Sequence, residues 1–298
     1  MAEVSTGSTV GGGSTVGGGS TVGRGGPPGG GSRVRQAPRQ FAQIARMWMR
    51  SSLAYPASFW TLTVSSALIT LLDFVGLALM FHSIDLLGGF GLREVALLYG
   101  ASGIGIGIGD LVIGSVEQIG LHVRTGTLDA MLTRPVPLLV QVCADRFALR
   151  RLGRIAQALA VFAYGVGAVD WSPTKVAVAV LMVVAACAIF FSFFVAFSCI
   201  QFWTLDATEF ANAFTYGGNT MTQYPMTVFP REVLVALTFV VPVAFVNWYP
   251  CLYLLDRHDP FGMPSWFAVL SPVVAALTVA VAGLAWRTGV RHYTSTGS

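Results

Sequence analysis

The chain has 298 residues, 54% of them hydrophobic and 11% charged, with a formal net charge of +4. An ordinary soluble domain carries roughly 25% charged residues, and several runs here exceed the ~18 apolar residues that mark a spanning helix. The composition therefore excludes a soluble enzyme and predicts a polytopic all-α integral membrane protein. Its basic balance fits arginine-rich cytoplasmic loops without invoking nucleic acid.

In chain order, residues 1–34 form a Gly/Ser/Thr-rich tail with STVGGG at 8–13 and 14–19 and STVGRG at 20–25. Such a tract buries too little surface to offset its ordering entropy and is expected to be disordered. From 38 to 55 the pattern is amphipathic: Arg39, Arg46 and Arg50 share one arc, and Phe41, Ile44 and Trp48 the other. This predicts a helix lying in the membrane interface. Six spans follow by length and apolarity, at about 57–81, 95–116, 155–169, 176–203, 233–255 and 265–286. The third is short and is expected to borrow from 138–154, where Arg146, Arg150 and Arg154 recur on one face and snorkel. Pro242 and Pro250 predict a kinked or broken fifth span.

With six spans and both termini inside, 15 of the 18 basic residues fall on inner segments, Arg231 among them, and only Arg93, Lys175 and Arg257 outside. The positive-inside rule then makes both termini cytoplasmic. The seven tryptophans fall near expected span ends, Trp248 at the outer one, as an aromatic belt would.

Between spans two and three lies a polar island, Glu117 to Pro137. Glu117, His122, Arg124, Asp129 and Arg134 make it too polar for hydrocarbon, while Leu121, Leu128, Met131 and Leu132 give it an apolar side. That is the composition of a short helix at a membrane surface touching a soluble partner. Span two holds GIGIGIGD at 103–110, which lacks the spacing of a nucleotide loop. Gly103 with Gly107, and Gly105 with Gly109, instead form overlapping small-xxx-small pairs for close helix packing. Asp73 and Asp110 lie inside spans, where a carboxylate is costly. Each reads either as a contact for a cationic substrate or as a paired interhelical group. Asn247 reads as a packing group or a gate. Phe194 and Phe197, in the aromatic crowd of span four, could line a path for flat or cationic compounds or simply face lipid. Scattered histidines and four cysteines without CxxC spacing point to no metal, disulfide or catalytic centre.

Four landmarks in order carry a family resemblance: Gly126-Thr127-Leu128-Asp129 with Leu132, Arg134 and Pro135; FTYGGNTMTQYPMTVFP at 214–230; TFVVPVAFVNWYP at 238–250; and Trp286 through Arg291-His292-Tyr293-Thr294-Ser295. Over 35–298 the chain resembles the membrane subunit of bacterial ABC-2 type ABC transporters. The resemblance implies a permease of the bacterial inner membrane, non-catalytic by itself, exporting hydrophobic or amphipathic, drug-like compounds, cations among them. It implies two cytoplasmic ATP-binding subunits that hold ATP and Mg, and a second permease subunit, identical or more commonly different. It also assigns coupling to the island: Glu117 and Asp129 to a partner's donors, Arg124 and Arg134 to its carboxylates, Gly120 and Gly126 to the bends. The only lysine, Lys175, lies beside Pro173 rather than in a phosphate loop, so this chain is not its own ATPase. The rival reading is a self-sufficient ion-coupled carrier using Asp73, with His82 or Asp110.

Overall fold

The computed structural model describes residues 54–145, 151–204 and 207–293, together with Gln43, Arg46, Met47 and Arg50. The expected tail at 1–34, most of the interfacial helix at 38–55, and Arg146 and Arg150 lie outside the described residues. The described residues are all-helical, without a named strand.

Helix α1 (Pro56–Met80) starts with proline at its first position, where the missing N–H costs nothing. Helix α2 (Leu92–Ile113) opens on a capping box in which Glu94 accepts from the Gly91 N–H at 2.8 Å. A 3-10 turn carries it into α3 (Ile119–Arg124), so the run reaches 33 residues. Two short helices follow, α4 (Thr127–Leu132) and α5 (Leu138–Ala144), then α6 (Leu152–Gly165) with a 3-10 extension to Ala168. Helix α7 (Pro173–Ser198) is capped by Ser172, whose hydroxyl accepts from the Lys175 N–H. The remaining helices are α8 (Thr208–Thr222), α9 (Arg231–Phe239), α10 (Trp248–Leu254) and α11 (Ser271–His292).

Glycine sets the architecture. An added Cβ at Gly100 would stand 2.5 Å from the Phe162 backbone, at Gly103 2.9 Å from Ala158 Cβ, and at Gly107 2.8 Å from Ile155 Cγ1. These three bring α2 and α6 together antiparallel. One face over, Gly105 and Gly109 meet Ala186 and Phe190 of the parallel helix α7. The two small-residue pairs thus serve two different neighbours within the chain. The window of α2 is 83% buried, whereas α1 leaves its apolar surface almost entirely exposed.

The bundle has two edges. Connections at 81–91, 169–172 and 255–264 form the upper one, and 119–137, 199–204 and the end of α11 the lower. Four helices, in α1, α2–α3, α7 and α11, are long and apolar enough to cross a membrane. The shorter apolar run Leu152–Ala168 also joins the edges. It does not borrow from 138–144, which is the separate helix α5.

The fifth run departs from expectation. The segment 233–255 is no simple crossing: α9 and the helix ending at Leu254 are bent 79° at the break around Pro242. Both ends sit at the upper edge. Before α9, Thr227 Oγ1 donates to Gly88 O at 2.7 Å. After α10, Arg257 pairs with Glu94 at 2.9 Å and donates to Gly89 O at 2.7 Å, and Asp256 pairs with Lys175. The pair is therefore re-entrant. Asn247, fully buried at the break, donates to Leu98 O and Thr222 O and so ties the break to α2 and to the end of α8. Trp248 packs on Phe90 inside the protein rather than in an interfacial belt. The lower-to-upper run between α7 and this pair is instead α8, with 15 residues. Arg231 consequently moves to the upper edge, and the excess of arginine on the lower edge survives the change.

Candidate functional site

The polar island becomes an ordered hairpin at the lower edge. Gly126, at φ 67°, adopts the left-handed conformation that glycine takes without penalty and reverses the chain between α3 and α4. Buried His122 holds the reversal from inside: Nδ1 meets Thr127 Oγ1 at 3.0 Å and Nε2 faces Asp145 Oδ2 at 3.5 Å. Gln141 Nε2 donates to both Met131 O and Val136 O, closing the loop from α4 to α5. Asp129 lies beside the Tyr293 hydroxyl, and burial together with that carboxylate pushes the phenol up. Leu128 and Met131 point inward, while Leu121, Leu132, Arg124 and Arg134 are exposed.

Two expected coupling residues are not on this surface. Gly120 is buried inside a helix and makes no bend; its N–H donates to Gln201 Oε1 at 2.9 Å. Glu117 is half-buried and turned toward α8, where Tyr216 donates to it at 3.4 Å. The reason is the path of the chain: a 3-10 turn at Gly114–Gln118 carries α2 into α3 without an intervening loop, and Glu117 within it faces the bundle. Gln201 completes the joint by donating to Glu117 O at 3.0 Å and accepting from Thr208 Oγ1 at 3.2 Å. Gln141 and Gln201 escaped the sequence reading because each acts through backbone or through a partner remote in sequence, and His122, read there only as one of the island's polar residues, is its internal brace.

Above the hairpin, Asp110 is buried and meets Arg151 at 3.1 Å and Arg154 at 3.5 Å. Of its two readings, the paired interhelical one describes the structure. Arg154 thus turns inward instead of snorkelling, and its guanidinium lies 6.0 Å from the Tyr216 ring centre.

At mid-height a cleft of about 400 Å³ opens between α1, α2, α6 and α8. Asp73 and Thr70 come from α1, Tyr99 from α2, Gln157 and Arg154 from α6. Tyr216, Asn219, Gln223 and Tyr224 line the side of α8 and its exit. Of the four expected pathway residues, the cleft contains only Asp73. Phe194 is buried against Tyr216, Phe197 stacks on Phe214 at 4.9 Å, and Asn247 is the packing group described above.

A bundle of apolar helices with a polar cleft at mid-height and a polar hairpin at one edge is the architecture of a multi-pass membrane protein. The chain belongs to the ABC-2 family of transporter proteins, whose family model matches residues 67–297; members are the membrane permeases of ABC transporters. No curated protein and no solved structure matches it.

Proposed function

We propose that the chain is the permease subunit of an ABC exporter in a bacterial inner membrane, moving an amphipathic compound outward. Two cytoplasmic subunits that bind ATP and Mg drive it, and a second permease, preferably non-identical, completes the pathway. The six runs joining the edges, α8 among them, are the six crossings, with the lower edge and both termini cytoplasmic. Helix α8 is about 22 Å long at 1.5 Å per residue, and its short length is met by local thinning of the bilayer.

The observation that carries this reading is the lower-edge hairpin. It presents exposed Leu121 and Leu132 beside Arg124 and Arg134. On its inner side Gln201 links Gly120 to Thr208 of α8 and Glu117 meets Tyr216 of α8, while His122 and Gln141 brace the hairpin itself and its join to α5. A push on such a hairpin is transmitted to α2 and α8 as a rigid displacement. The self-sufficient carrier would have no use for an exposed apolar surface backed by buried hydrogen bonds.

Pull-down of the solubilised chain from its native host, with an ATPase assay on the eluate, tests the proposal. A stoichiometric ATP-binding subunit is expected, released by the double substitution Leu132→Asp with Arg134→Glu. Elution of the chain alone, with no ATP hydrolysis in the eluate, would refute it.

A further inference from the structure

The mid-height cleft carries more chemistry than a hydrophobic cation needs. Its two charges, Asp73 and Arg154, oppose each other, so the cleft has no net preference for a cation. The Tyr216 ring, a natural platform for a ligand cation, already has Arg154 over it at 6.0 Å. What remains is hydrogen-bonding capacity of both senses. Gln157 is 7% exposed, and apart from its neighbour Tyr99 its buried Nε2 meets no hydrogen-bond acceptor among the described residues. Asn219 Oδ1 accepts from Ser102 at 2.9 Å, leaving its amide N–H groups unspent. Among the described residues the Gln223 and Tyr224 side chains make no hydrogen bond, and the Asp73 carboxylate accepts none. A buried amide left unpaired costs free energy that a ligand can return.

Donors and acceptors interleaved on aromatic walls match a group that both donates and accepts at adjacent atoms, which describes a set of vicinal hydroxyls. The volume, about 400 Å³, falls in the range of small-molecule pockets, roughly 300–1,000 Å³. Beside the cleft, α1 turns Ile69 and Leu72 outward, 63% and 59% exposed. An acyl chain can lie along that face while its head group occupies the cleft. We propose that the cleft binds the uncharged, hydroxyl-rich head of a glycoside-type amphiphile. This deepens the export reading and rests on it for the direction of movement, but the binding itself requires no ATPase.

The test uses the full chain in lipid nanodiscs, with thermal unfolding followed against octyl-β-D-glucoside, octyltrimethylammonium and octanol as glycoside, cationic and tail-only probes. Saturable stabilisation by the glucoside alone is expected. Its half-saturating concentration should rise about ten-fold in Gln157→Leu and in Asn219→Leu, each losing one hydrogen bond. Asp73→Asn should shift it less, because the amide oxygen still accepts. Gln157→Leu also removes an unpaired buried amide, so its unliganded melting temperature should not fall and misfolding is kept apart from lost binding. Stronger stabilisation by the cation, abolished in Asp73→Asn, would overturn the proposal. So would the absence of saturable stabilisation, or glucoside binding unchanged in both amide variants. A negative result here leaves the pull-down of an ATP-binding subunit unaffected, and the reverse, so the two readings fail separately.

Discussion

Gly100→Ala is the sharpest test of how α2 is held. The added Cβ would stand 2.5 Å from both N and Cα of Phe162. Backbone atoms cannot rotate aside, and carbon contacts need about 3.5 Å, so α2 and α6 must part by about 1 Å, forfeiting a quarter to a half of the dispersion attraction at the contact. Overpacking of this kind costs about 2 kcal/mol, or a melting temperature lower by on the order of 5 °C. Gly76, in the exposed α1, provides the control: a Cβ there meets nothing within 4 Å. In Gly76→Ala the same chemical change should be neutral or stabilise by roughly 0.5–1 kcal/mol through reduced backbone entropy. Thermal unfolding of both variants and the parent in nanodiscs decides the matter. Equal melting of Gly100→Ala and Gly76→Ala would show that the close approach of α2 and α6 does not exist.

The re-entrant path of 231–254 predicts that Arg231→Cys and His258→Cys react with a membrane-impermeant thiol reagent from one side of the membrane and Arg134→Cys from the other, with the parent chain as background; labelling of Arg231→Cys from the Arg134 side would restore a crossing there. Arg151→Met should destabilise by about 2 kcal/mol because it strips buried Asp110 of its closest charge partner while Arg154 remains 3.5 Å away, and adding Asp110→Asn should recover most of the loss in the same melting assay. Asn247→Leu leaves Leu98 O and Thr222 O without their donor and should cost about 3 kcal/mol; an unchanged melting temperature would mean that the break is held by other contacts. Gly126→Ala forces a left-handed residue and should cost about 1–2 kcal/mol, and it should weaken capture of an ATP-binding subunit more than Gly76→Ala does.

Much of the fold was legible because hydropathy is a local property. The limits of α1, α2 and α7 lie within a few residues of those expected from apolar length, and the break at Pro242 follows from a ring that cannot donate to a helix. Helix α8 was not legible. Its Glu209, Asn212, Asn219 and four threonines make it too polar and too short for an apolar-length test. In the structure that polarity is spent on neighbours far away in sequence: Tyr216 on Glu117, Asn219 and Thr222 on Ser102. The apolar run at 233–255 looked like the better span because composition cannot say to which edge a chain returns.

The candidate site divides in the same way. The island's residue types by themselves determined a polar, half-apolar turn between two apolar runs; of the two glycines that the resemblance assigned to its bends, Gly126 makes one and Gly120 does not. Which of those residues face outward was decided by the helical run passing through a 3-10 turn to Arg124, which carries Glu117 inward, and by the reversal at Gly126, which leaves Leu132 and Arg134 exposed. Sequence alone also determined that Asp73 sits in an apolar helix. Only tertiary packing gave it company, by bringing Gln157, Asn219 and Tyr99 from three other helices around one cleft. Polar groups within hydrocarbon are stable only where partners or a ligand can satisfy them, and those partners are chosen by how helices pack, a non-local outcome that no window of residues contains.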